Sequence, residues 1–169
     1  MGYSKWVSFF LLRLICLWFA FPPLRLCAEL CQLSICFYTG VNYVCKFKNC
    51  QGEIWIGKNL ILDLFNKSYG LERLKAVFAH EYAHALQSRL GFLSRGKFTE
   101  LHADFLAGYY IGLKGVVSSE KLKAFCEEFY SRGDFDFFNP DHHGTPEERG
   151  CAFLEGYKIG VERNHNTYQ

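Results

Sequence analysis

From Ala76 to Leu86 the chain reads Ala-Val-Phe-Ala-His-Glu-Tyr-Ala-His-Ala-Leu. Apart from the Tyr82 hydroxyl, its only polar side chains are His80, Glu81 and His84. A helix that is apolar on nearly all sides belongs in an interior. Burying three ionisable groups there without partners costs several kcal/mol, so the fold has to bring something to that spot. Positions i and i+4 of an α-helix share a face, so both imidazoles reach a single point. Glu81 sits about 100° further round and projects past that point rather than onto it. The pattern His-Glu-x-x-His therefore suits a metal held by two histidines, with a carboxylate placed to take a proton from bound water. A Zn2+ ion bound there would remove the cost of burial.

Catalytic zinc usually takes three protein ligands and keeps a fourth position for water. An elongated pattern with a third histidine six residues after the second fails here, because position 90 is Leu and Gln87 replaces the glycine it requires. A better source begins sixteen residues beyond His84, in Glu100-Leu-His-Ala-Asp104. Glu100 and Asp104 share a helical face bordered by Ala103, Ala107 and Gly108, whose small size lets a neighbouring helix approach. Glu100 is the candidate third ligand. Asp104, one turn later, is placed to accept the other ring N–H of a ligand histidine, which fixes its tautomer and raises its basicity. His102 points away from that face and reads as an ordinary helix side chain.

These two motifs together resemble the gluzincin metallopeptidases, within which the chain is most similar to the HtpX-like peptidases and the bacterial neutral zinc metallopeptidases. A third segment, His143-Gly-Thr-Pro-Glu-Glu-Arg149, resembles a late His-(Pro or Gly)-x-x-x-x-Arg element of those families. The resemblance implies an α+β, zincin-like fold, mostly helical, with a small antiparallel sheet and a buried HExxH helix. It implies one catalytic Zn2+ held by His80, His84 and Glu100, with Glu81 as general base and Asp104 as partner of His80. His143 and Arg149 would lie near the developing oxyanion; His142 could exchange roles with His143, although the spacing to Arg149 favours the latter. In related zincins the substrate runs antiparallel to an exposed edge strand, and by resemblance Gly52 to Gly57 would serve. The departures are a glycine where the HtpX-like pattern usually has proline, a short gap to Glu100, and no multispan membrane region.

With 169 residues, half of them hydrophobic, there is material for one compact domain and hardly for two. A net charge of +2 with no basic run interleaved with aromatics argues against nucleic acid as a partner. Lys5 precedes an apolar stretch from Trp6 to Phe21 that Pro22-Pro23 ends. That stretch is short for a span of about 20 residues and suits a signal-peptide core better. Residues 1–28 are accordingly expected to be a signal peptide or membrane tether, and residues 29–169 the metallopeptidase domain, secreted or held at the cell envelope. A core helix of a cytoplasmic protein is the alternative. Removal of residues 1–28 leaves six cysteines. Disulfides, reduced thiols, or a second structural zinc held by the four from Cys31 to Cys50 all stay open.

Short β-rich runs are expected over Leu33 to Tyr38, Tyr43 to Phe47 and Glu53 to Ile56. Helices are expected over 58–67, 71–89, 99–113 and 119–131. Thr145-Pro-Glu-Glu148 is a capping box with proline at the first helical position, starting a helix to about Ile159. The Gly133 to Gly144 loop, with Phe135, Phe137 and Phe138, reads as a cover for the core, with a place in a substrate pocket as the alternative. The expected activity is hydrolysis of peptide bonds in a protein or peptide substrate. Three other readings remain: an intracellular regulatory metallopeptidase, a catalytically silent zinc-binding protein, and a small disulfide-bonded envelope protein in which the motif is accidental.

Overall fold

The computed structural model describes residues 33–38, 43–48, 51–91, 96–139 and 142–167. The expected signal or tether over residues 1–28 lies outside them, as do the side chains of the cysteines from Cys31 to Cys50. Cys126 and Cys151 are free thiols, so no disulfide joins them.

Strands β1 (Leu33–Tyr38), β2 (Tyr43–Lys48) and β3 (Gln51–Gly57) pair in the order β1-β3-β2. Ile54 of β3 is opposite Cys45 of antiparallel β2 and Ile35 of parallel β1. The sheet is therefore mixed, where an antiparallel one was expected. Two reversals of direction leave β1 and β3 pointing the same way, and β3 then inserts between its predecessors. This corrects a second expectation. Both hydrogen-bonding edges of β3 are occupied, so Gly52 to Gly57 is not an exposed edge on which a peptide could pair.

The described chain is mostly helical, with α1 (Lys58–Phe65), α2 (Gly70–Arg89), α3 (Lys97–Gly112), α4 (Ser119–Tyr130) and α5 (Pro146–Thr167). Helix α2 has a core on each side. Leu74, Val77 and Phe78 pack with Ile54 and Ile56 of β3 and Leu64 of α1. Ala76 and Ala79 face Ile111, Phe125 and Phe153, contributed by α3, α4 and α5. The apolar stretch from Ala76 to Leu86, with His80, Glu81 and His84 in it, thus lies between two cores, as its composition required.

The most extensive helix pairing is α3 against α5. Its seam is glycine on both sides: a Cβ at Gly108 would lie 2.0 Å from the Phe153 carbonyl oxygen, and one at Gly156 1.9 Å from that of Phe105. No side chain fits between backbones that close. Helix α5 enters the seam from its capping box, in which the Thr145 N–H donates to Glu148 Oε2 at 3.0 Å and the Glu148 N–H to Thr145 Oγ1 at 3.2 Å. It continues past the expected end at Ile159, and Gly160 extends the seam: a Cβ there would lie 2.2 Å from the Tyr109 carbonyl oxygen. Among the described residues no helix is long and apolar enough to cross a membrane.

Gly156→Ala should force α3 and α5 apart, costing about 2–3 kcal/mol and lowering the melting temperature by roughly 5–10 °C. Gly150→Ala, on the same helix with its nearest atom 4.0 Å away, should leave the melting temperature unchanged or raise it slightly. Equal losses in thermal melts of the two variants would show that the seam is not the constraint.

Candidate metal centre

Helix α2 sets His80 and His84 one turn apart, and α3 crosses it to bring Glu100 to the same point. The two Nε2 atoms are 2.9 Å apart. His80 Nε2 lies 3.3 Å from Glu100 Oε2, and His84 Nε2 lies 3.3 Å from Glu100 Oε1. The rings meet edge to face, at an interplanar angle of 89°. Ligands on a tetrahedral ion at about 2.05 Å stand about 3.3 Å from one another. Both nitrogen-to-carboxylate distances match that spacing, and the nitrogen pair is slightly tighter.

The outer ring nitrogens decide what these atoms are. His80 Nδ1 is 2.8 Å from Asp104 Oδ1, and a carboxylate only accepts, so Nδ1 carries the proton. His84 Nδ1 is 2.8 Å from Gln87 Oε1, which also accepts. In the neutral rings both Nε2 lone pairs are therefore bare and directed at each other and at a carboxylate. Three electron-rich atoms converging in a largely buried place repel unless a cation lies among them. The donor set of His80, His84 and Glu100 fits a divalent metal ion. His80 is buried, while His84 and Glu100 are partly exposed, which leaves a side open to solvent.

Electrostatics point the same way. Burial would lower His80, but its bonds to Asp104 and Glu100 outweigh this and raise its pKa from 6.5 to about 9. Burial would likewise raise Glu100, yet the two histidines hold its carboxyl well below the usual range. For Asp104 burial is outweighed by Arg149 and then His80, again downward. The protein groups by themselves thus recruit a positive charge, and a metal must displace that proton to bind. Glu81, 2 % exposed, shares a cavity of about 10 Å³ with His80; burial pushes its carboxyl up, only partly offset by His80 and His84.

Arg149, expected near the oxyanion, bonds the carboxylate of Asp104 and also lines the small cavity that holds His80 and Glu81. Its Nε donates to Asp104 Oδ2 at 2.7 Å and its Nη2 to Asp104 Oδ1 at 2.9 Å, while Nη1 donates to the Arg132 carbonyl at 3.1 Å. Glu100 Oε2 is 3.7 Å from Nη2. The guanidinium neutralises these carboxylates. It positions Asp104, and through it His80. The reason is the glycine seam, which seats the first turns of α5 directly against Asp104.

His143 is not part of this cluster. It is half exposed, its backbone N–H donates to Asp134 Oδ2 at 3.1 Å, and its ring lines a cleft of about 430 Å³ with Lys67, Glu128, Ser131, Arg132 and Arg149. Glu128, Arg132 and Arg149 also wall the small cavity that holds His80 and Glu81, so cleft and centre adjoin. His142 is buried and bonded through Nδ1 to Asp134. Phe135, Phe137 and Phe138 are 63, 62 and 99 % exposed. They do not cover the core, because Asp134 is tied to His142 and His143 and the loop beyond it turns outward.

Gln87 and His102 were not singled out as parts of the site. Gln87 holds His84 and also reaches His102 Nδ1 at 3.1 Å. The available signal was an amide three residues after His84, on the same helical face. No family model, curated protein or solved structure matches the chain.

Because a proton must leave His80, affinity for a divalent metal, measured by chelator competition, should rise about tenfold per pH unit from mildly acidic solution and level off near pH 9. A pH-independent affinity would mean that the ion binds elsewhere.

Proposed function

We propose that the protein is a zinc-dependent endopeptidase of zincin-like fold. The observation that carries this reading is the convergence of His80, His84 and Glu100 beside a buried Glu81 that is not itself among the converging donors. Two imidazoles and a carboxylate are a donor set that catalytic zinc uses. When bound, zinc would supply Lewis acidity toward a carbonyl oxygen and make water easier to deprotonate.

The chain's own groups then divide the work. Asp104 keeps the His80 Nδ1–H in place, so that Nε2 stays a donor. Glu81 accepts a proton from the attacking water and delivers it to the nitrogen of the leaving amine, so the bond broken is C–N and the bond formed is C–O. Its upward shift by burial suits both halves of that transfer, since a carboxyl closer to neutrality holds and releases a proton more evenly. His143, half exposed in the adjoining cleft, is the side chain assigned to the oxygen that becomes negative. A protein or peptide substrate would approach through that cleft. Export or membrane tethering through residues 6–21 is part of the same proposal.

A catalytically silent metal protein would need the three ligands but not Glu81. Keeping a carboxylate at 2 % exposure beside them costs stability that metal binding alone does not require. This favours turnover.

Glu81→Gln should retain about one zinc per chain while cleavage of an unfolded protein substrate falls by roughly 10²-fold or more. Loss of zinc from this variant would make Glu81 a ligand. Full zinc content with no cleavage by the wild-type protein would leave the silent alternative standing.

A further inference from the structure

We propose that Gln87 is a positioning residue that sets two metal ligands at once, His84 on α2 and Glu100 on α3. The inference rests on reading those residues as ligands. Gln87 is 2 % exposed, and its amide spans the two helices. Its Nε2 donates to the Thr99 carbonyl oxygen at 2.8 Å, and Thr99 immediately precedes Glu100. A backbone carbonyl only accepts, so the nitrogen must face Thr99. The oxygen then faces His84 Nδ1, at 2.8 Å, and that nitrogen must donate. His84 Nε2 is left bare, turned toward Glu100. The orientation of one amide thus follows from a backbone carbonyl and fixes the tautomer of a ligand on the other helix.

The second N–H of the same amide reaches His102 Nδ1 at 3.1 Å, one turn along α3. Both donors of the amide are used on α3, and its acceptor is used on α2. This matters because α3 begins without a side-chain cap: its N-cap is Gly96, at φ 97°. Its first turn is held instead by Gln87 and by the Lys97–Glu148 ion pair at 2.9 Å. Glu100 lies in that turn. Without the amide, the third ligand and the second would each gain freedom, and the loss would appear in the metal rather than in the fold as a whole.

The test uses Gln87→Met, similar in length but unable to accept or donate, and Gln87→Glu, which can still accept from His84 but places an oxygen against the Thr99 carbonyl. Two readouts apply to the full chain: zinc affinity by chelator competition, and the His84 tautomer from ring nitrogen chemical shifts in metal-stripped protein. Gln87→Met should weaken zinc binding about 10- to 100-fold and give His84 a mixture of tautomers. Gln87→Glu should keep the Nδ1–H form and still lose affinity, by about threefold to tenfold. If Gln87→Met does not fold, the Glu variant carries the test through its tautomer and affinity together. Wild-type affinity and an unchanged tautomer in the variants overturn the proposal while the metal site stands. Failure of wild-type protein to bind zinc removes the site reading, and this proposal with it.

Discussion

Six ionisable side chains, His80, Glu81, His84, Glu100, Asp104 and Arg149, meet where apolar packing would otherwise close, and their mutual compensation is the condition on which the fold depends. Each would be expensive to bury alone. Asp104 is fully buried, yet both its oxygens accept from the Arg149 guanidinium and one also from His80. Removal of Arg149 would leave the buried Asp104 carboxylate with His80 alone in a region of low dielectric. The cluster is thus as much a structural element as a chemical one.

Compensation of this kind needs short distances between helices, which the glycine seam supplies. With backbones in contact at Gly108 and Gly156, the side chains that flank the seam can be functional rather than space-filling. The Arg149 fork spans from α5 to Asp104 on α3, and Asp104 reaches His80 on α2. Three helices are tied through one carboxylate. Gln87 makes a second, neutral tie between α2 and α3, so the two histidines are oriented by chemically different partners. A carboxylate backed by arginine raises the basicity of the imidazole it holds more than a neutral amide does.

The cleft that adjoins the centre has a different character. The cleft that reaches His143 is polar, and the Phe135–Phe138 segment beside it is strongly exposed. Asp134 links them, bonding the backbone N–H of His143 and the ring of His142, whose other face meets Phe137 at 5.2 Å between centroids.

Much of the site was legible in the sequence because it is local. The i, i+4 spacing of His80 and His84, the same spacing of Glu100 and Asp104, and the Thr145–Glu148 capping box are set by helix geometry, which any sequence with those residues obeys. That Ala76 to Leu86 is an interior helix followed from its lack of polar residues. What pairs across distance was not legible. The place of β3 between β1 and β2, the fork of Arg149 on Asp104, the outward course of the Phe135–Phe138 loop and the bond from Gln87 to Thr99 join residues far apart in the chain or depend on where such residues meet. Local propensity carries no information on which of several arginines or amides will meet a given carboxylate or carbonyl. Only the packing of α3 on α5 and of both on α2 decided that, because a buried polar group takes the partner that geometry brings within hydrogen-bond reach.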